Sequence, residues 1–102
     1  MNQLDIKTNL LSKIFEVIKG RKVFLSIITK LSVDTFSIIP KLEWNFCGTK
    51  DDLYIEIYES LTKGTIFMTL YVDRVKEILF NEHNNEVCIY FKDDAMLNIV
   101  VD

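Results

Sequence analysis

The sequence predicts an α+β fold, an N-terminal amphipathic helix packed on a strongly bent antiparallel sheet of about seven strands, with a partly closed small barrel as a variant. Three observations carry that prediction. One stretch near the N-terminus repeats its apolar residues at helical spacing. Most of the remainder alternates apolar and polar residues with period two, the mark of a strand with one buried face. The alternating runs are joined by short polar connections of the kind that make hairpins, so neighbours in sequence are expected to run antiparallel.

The helix is written in Leu4, Leu11, Ile14, Phe15 and Ile18, with Leu10 and Val17 widening the stripe. Lys7, Asn9, Ser12, Lys13, Glu16 and Lys19 fall mostly opposite, as amphipathicity requires. Asn2 suits the N-cap, Asp5 the positive end of the helix dipole, and Gly20 the left-handed residue after the C-terminus.

Lys22 to Thr29 is β-branched and too short for a helix; its apolar residues on both phases predict a central strand covered on two faces. Leu31 to Thr35 reads as a turn. Phe36 to Ile39 and Leu42 to Cys47 read as extended segments around Pro40, which has no donor for a ladder and belongs at an edge, a bulge or a corner. Leu42, Trp44 and Phe46 share one side and Glu43, Asn45 and Cys47 the other, so Trp44 is placed in the core.

Residues 48–52 form the next turn on composition. Leu53, Ile55 and Ile57 then alternate with Tyr54, Glu56 and Tyr58, and Thr62-Lys63-Gly64 makes a further turn. Ile66, Met68, Leu70 and Val72 face inward, with Phe67, Thr69 and Tyr71 on the reverse. Residues 73–75 suit a single helical turn, although Val72, Val75, Ile78 and Leu79 also fit a longer helix through Asn81. The segment from Lys76 to Val101 reads as a three-stranded meander, broken by polar knots at 82–85 and 92–94, with Val87, Ile89, Phe91, Leu97, Ile99 and Val101 inward.

Length and composition suit one domain spanning residues 1–102: 49% of the residues are hydrophobic, enough for a core without staples. No apolar run approaches the ~20 residues of a membrane span. Cys47 and Cys88 stand singly, as reduced thiols do. With no secretory pattern at the N-terminus, the expected location is cytoplasmic. The bias towards Lys, Ile and Asn matches AT-rich coding, which suggests a bacterium, a phage or a mobile element.

Enzyme signatures are missing from the chain. His83 sits alone in a polar turn, with no nucleophile or orienting group beside it in sequence. Cys47, Cys88 and His83 lack the close pairing of metal ligands, and Gly20, Gly48 and Gly64 lie too far apart to cradle a phosphate. The chain is therefore read as non-enzymatic and without a cofactor. Asp51-Asp52 and Asp93-Asp94 are the remaining oxygen pairs. They ground only a last-ranked reading, a metal-dependent enzyme whose aspartate turns converge.

Charge is uneven along the chain. Residues 1–50 carry eight Lys or Arg against four acids, a formal +4, and residues 51–102 carry four against eleven, a formal −7. The overall −3 argues against broad nucleic-acid binding. Lys13, Lys19, Arg21 and Lys22 are the one local cluster able to meet phosphates.

All four tyrosines fall on the phase of their strands away from the core. Tyr54, Glu56, Tyr58, Tyr71 and Tyr90 are accordingly the candidate protein-binding residues, since aromatic side chains are enriched where proteins meet. The function expected is that of a small interaction module covering another protein's surface, as an inhibitor, immunity or anti-defence factor of a phage or mobile element would. The alternative is a homo-oligomeric small barrel that binds RNA or a nucleotide.

Overall fold

The structure, a computed structural model, describes residues 3–29, 33–59 and 66–102, and their side chains except those of residues 3, 33–36, 66 and 67. The element order is α1 (Gln3–Ile18), β1 (Val23–Ile28), β2 (Val33–Ile39), β3 (Leu42–Thr49), β4 (Asp52–Glu59), β5 (Ile66–Tyr71), β6 (Val75–Asn81), β7 (Glu86–Phe91) and β8 (Met96–Val101). The expected α+β class holds, with all strands antiparallel.

Leu11, Ile14, Phe15 and Ile18 of α1 are buried, as their spacing predicts. The buried stripe is narrower than the sequence suggests: Leu10 and Val17 lie on the solvent side, with Val17 60% exposed. Only one sector of the helix meets the sheets, so residues on the flank of the stripe stay outside it. Gly20 ends the helix at φ 78°. Its N–H donates to the Leu42 carbonyl at 2.7 Å, and the Leu42 N–H donates back to the Arg21 carbonyl at 3.0 Å. The helix end is thus stitched to the start of β3. The expected Asn2 cap lies outside the described residues.

The eight strands form two sheets rather than one bent sheet of about seven, and among the described residues no barrel closes. The larger has the order β2-β1-β8-β7-β6 and the smaller the order β3-β4-β5. The chain changes sheet at two corners. At Pro40-Lys41 a residue without an N–H interrupts any continuing ladder. The freed Lys41 N–H donates to Glu59 Oε2 at 3.1 Å, and Glu59 is buried to 4% exposure. A backbone donor that leaves a sheet needs a replacement acceptor, and this carboxylate is one.

The second corner is a 3-10 turn over Val72–Arg74. It settles the ambiguity at residues 72–81: one helical turn, then strand β6, with a bulge between Val75 and Glu77. Val72 and Val75 anchor the corner in the core. The meander of β6, β7 and β8 forms as read. Residues 33–35, expected in a turn, belong to β2, and the turn expected at 62–64 lies outside the described residues.

Val23, Leu25, Ile39, Leu42, Ile55, Ile57, Leu70, Val87, Ile89, Leu97, Ile99 and Val101 join the helix in one core. The first and last strands pair directly, with Val23 opposite Val101 and Leu25 opposite Ile99. β1 is central, as expected, and among the described residues its inner face carries the buried side chains, Val23 and Leu25. Phe24, Ser26 and Ile28 on the other face are all half-buried, none sealed. Trp44 is also half-buried, at the margin of the core: its ring centroid lies 5.8 Å from that of Phe15, and its indole N–H donates to Glu16 Oε2 at 3.0 Å.

Candidate functional site

The outer face of the three-stranded sheet gathers four of the five predicted residues. Strand alternation puts Asp52, Tyr54, Glu56 and Tyr58 of β4 on that face. The register then lays Thr49, Cys47, Asn45 and Glu43 of β3 beside them in that order. On the other flank β5 sets Tyr71 opposite Tyr54 and Thr69 opposite Glu56. Glu56 therefore stands at the centre of a patch framed by tyrosines.

The rings are packed but not sealed. Tyr54 and Tyr71 meet at a centroid distance of 5.3 Å and an interplanar angle of 46°, and Tyr71 remains 39% exposed. The Asn45 amide Nδ2 donates to the Tyr58 hydroxyl at 3.0 Å. Such cross-strand contacts hold the side chains in one arrangement.

The hairpin between β3 and β4 is tight. Thr49 pairs with Asp52, leaving Lys50 and Asp51 as its tip. Gly48 has φ 88°, and a Cβ there would collide with the Asp52 carbonyl oxygen and lie 3.0 Å from the Tyr54 ring. Beyond Tyr71, Asp52, Asp73 and Arg74 line a pocket of about 350 Å³ with it at the second corner.

Electrostatics on this face favour the protonated thiol and phenol. Burial pushes the Cys47 thiol up from its ordinary range, and its hydrogen bond and proximity to the Glu56 carboxylate push it further. Tyr54 is raised by burial first, then by the neighbouring Cys47, Glu56, Tyr71 and Asp52. Both groups hold their protons longer in the folded chain than in the unfolded one. Their contribution is intact below the ordinary values of 9.0 and 10.0, and stability falls as pH climbs through them towards the raised folded values. Thermal melts at rising alkaline pH are expected to show that fall, and Glu56→Gln to make it shallower. The same variant should speed iodoacetamide alkylation of Cys47, followed by mass spectrometry, because the thiolate forms more readily. An unchanged rate would break the Cys47–Glu56 link.

Tyr90 does not join this patch. It lies on the outer face of the five-stranded sheet, opposite Glu77 on one side and Met96 on the other. Leu79 and Cys88 share that second face, and the Phe67 side chain lies outside the described residues. Asn45, Cys47 and the Asp73–Arg74 pair are not among the residues that the sequence pattern singles out. Strand phase marks the first two as off-core, but only the β3–β4 register brings them against the tyrosines.

Asp51-Asp52 lies at the β3–β4 hairpin and Asp93-Asp94 in the turn between β7 and β8. Among the described residues no three His, Cys, Asp or Glu side chains stand together as a metal site. The basic cluster is largely engaged. Lys19 pairs with Glu43 at 4.0 Å, Lys22 with Asp102 at 3.8 Å, and Arg21 Nη2 donates to the Asp102 carbonyl at 2.9 Å. Among the described residues no helix is long and apolar enough to cross a membrane. No protein-family model, no curated protein and no solved structure matches this chain.

Proposed function

We propose that the chain is a non-enzymatic protein-interaction module whose outer three-stranded face covers a basic surface of another protein, as an inhibitor does. The observation that carries this reading is the convergence of Tyr54, Tyr58 and Tyr71 around Glu56. Rigid tyrosines offer wide contact area at low entropic cost. A partner's Arg or Lys can lie over the rings and against the carboxylate, through cation–π and charge-assisted contacts. Asp52 and Asp73, lining the pocket beside Tyr71, extend the acidic character towards the second corner.

The test begins with affinity purification from the native host and mass spectrometry of what is retained. Against that partner, Tyr58→Ala and Glu56→Lys are each expected to weaken binding by roughly 30-fold or more, the effect of losing an anchor worth ~2 kcal/mol. Tyr90→Ala should change it little. If all three variants bind equally well while their circular dichroism stays native, the face is not the binding surface. Retention of RNA that falls steeply with salt would instead support a nucleic-acid role.

A further inference from the structure

The larger sheet ends in a strand that is unusually poorly defended. Among the described residues β6 is paired on one side only, with β7, and forms the edge of the five-stranded sheet. Natural edge strands are blunted by charges, proline, bulges or a covering element, because free backbone N–H and C=O groups invite another strand. On β6 the bulge and the charged residues Lys76 and Glu77 guard only its first part. Ile78-Leu79-Phe80 follow with no such protection among the described residues. Leu79 and Phe80 are 49% and 40% exposed, and they project to opposite faces of the sheet, since Leu79 is opposite Cys88 and Phe80 opposite Val87.

We propose that two copies of this chain pair antiparallel along β6, joining their larger sheets into one continuous sheet across a two-fold axis. A symmetric pairing that keeps each side chain on its own face must be centred on a residue. Centred on Ile78, it sets Glu77 against Leu79 of the second copy. Centred on Phe80, it sets Leu79 against Asn81 and Ile78 against Glu82. Centred on Leu79, it sets Leu79 against Leu79, and Ile78 against Phe80 on both sides of the axis. Only this last register gives all three of Ile78, Leu79 and Phe80 an apolar partner. It also sets Glu77 against Asn81 of the mate at both ends of the seam, so no like charges face each other across it. Self-complementarity of this kind is what an isologous contact demands, and it selects a second copy over an unrelated strand.

One strand pair buries less than the ~1,200 Å² at the lower end of standard interfaces, so the dimer is weak and concentration-dependent. Sedimentation equilibrium of the full chain, from micromolar to millimolar concentration, is expected to show the mass rise from 12.0 kDa towards twice that value and stop there. Hydrogen exchange should slow along β6 over the same range. Leu79→Lys, a change at an exposed site, should hold the chain monomeric with a native circular dichroism spectrum. Asn81→Glu, which sets like charges opposite Glu77 of the mate, should weaken the dimer severalfold, whereas Asn81→Lys should not. A wild-type chain that stays monomeric throughout overturns the proposal. So does a dimer indifferent to Leu79→Lys, growth past the dimer into open polymers, or a dimer weakened no more by Asn81→Glu than by Asn81→Lys.

Discussion

Phe15→Ala is expected to cost about 3–5 kcal/mol of folding stability, the loss typical of a fully buried aromatic ring. Phe15 is completely buried in the core that α1 shares with both sheets, against Trp44 on one side. Its removal leaves a cavity that elements fixed by two corners and a sheet ladder cannot readily close. A chain of this size has roughly 5–15 kcal/mol of stability in total, so the variant should approach the edge of folding at physiological temperature. Trp44→Ala is the comparison. Trp44 is larger, but it is half-buried and its N–H already reaches an exposed carboxylate, so its truncation is expected to cost less, about 2 kcal/mol. Urea unfolding followed by circular dichroism measures both. A smaller loss for Phe15→Ala than for Trp44→Ala would show that the helix is not the lid of the core.

Gly48→Ala should lower stability by about 2–3 kcal/mol and disturb the tyrosine face at the same time. Two effects act together there. A positive φ is unfavourable for any residue with a side chain, and the new methyl would strike the Asp52 backbone carbonyl, which no rotamer change can move aside. The hairpin has to open, and Tyr54 has to shift with it. Gly20→Ala separates the two effects, because Gly20 also has positive φ (78°) but no atom within 4 Å of the added carbon. It should lose only the conformational part, about 1 kcal/mol. Equal losses at the two sites, by thermal or urea unfolding, would mean that the collision at Gly48 is relieved elsewhere. Aromatic NMR shifts of Tyr54 and Tyr71 report whether the face has moved, and only Gly48→Ala should change them.

The candidate site is only partly legible in the amino-acid order. Period-two alternation assigns Tyr54, Glu56, Tyr58 and Tyr71 correctly to the off-core phase, because that signal is local: the side-chain direction of a strand residue follows from its neighbours. The same phase rule includes Tyr90 without being able to tell that it lies on a different sheet. Phase says which way a side chain points, not which strands lie beside it. Glu59 shows the limit in another form. Its phase points inward, and a buried carboxylate looks unfavourable in sequence, yet the corner at Pro40 needs an acceptor for the Lys41 N–H. No pattern within β4 contains that need, since it arises eighteen residues earlier.

By itself, the amino-acid order determined the helix, its stop at Gly20, the positions of nearly all strands, the inward residues of each, and the antiparallel sense of the hairpins. These are short-range consequences of periodicity, turn chemistry and backbone sterics, which act within a few residues. The tertiary structure alone decided that the strands split into two sheets, that β1 pairs with β8 across almost the whole chain, and that β6 is left as a sheet edge. Those choices depend on how separate apolar faces share one core and on where the corners release the backbone. They are set by contacts between distant segments, and no local repeat encodes them.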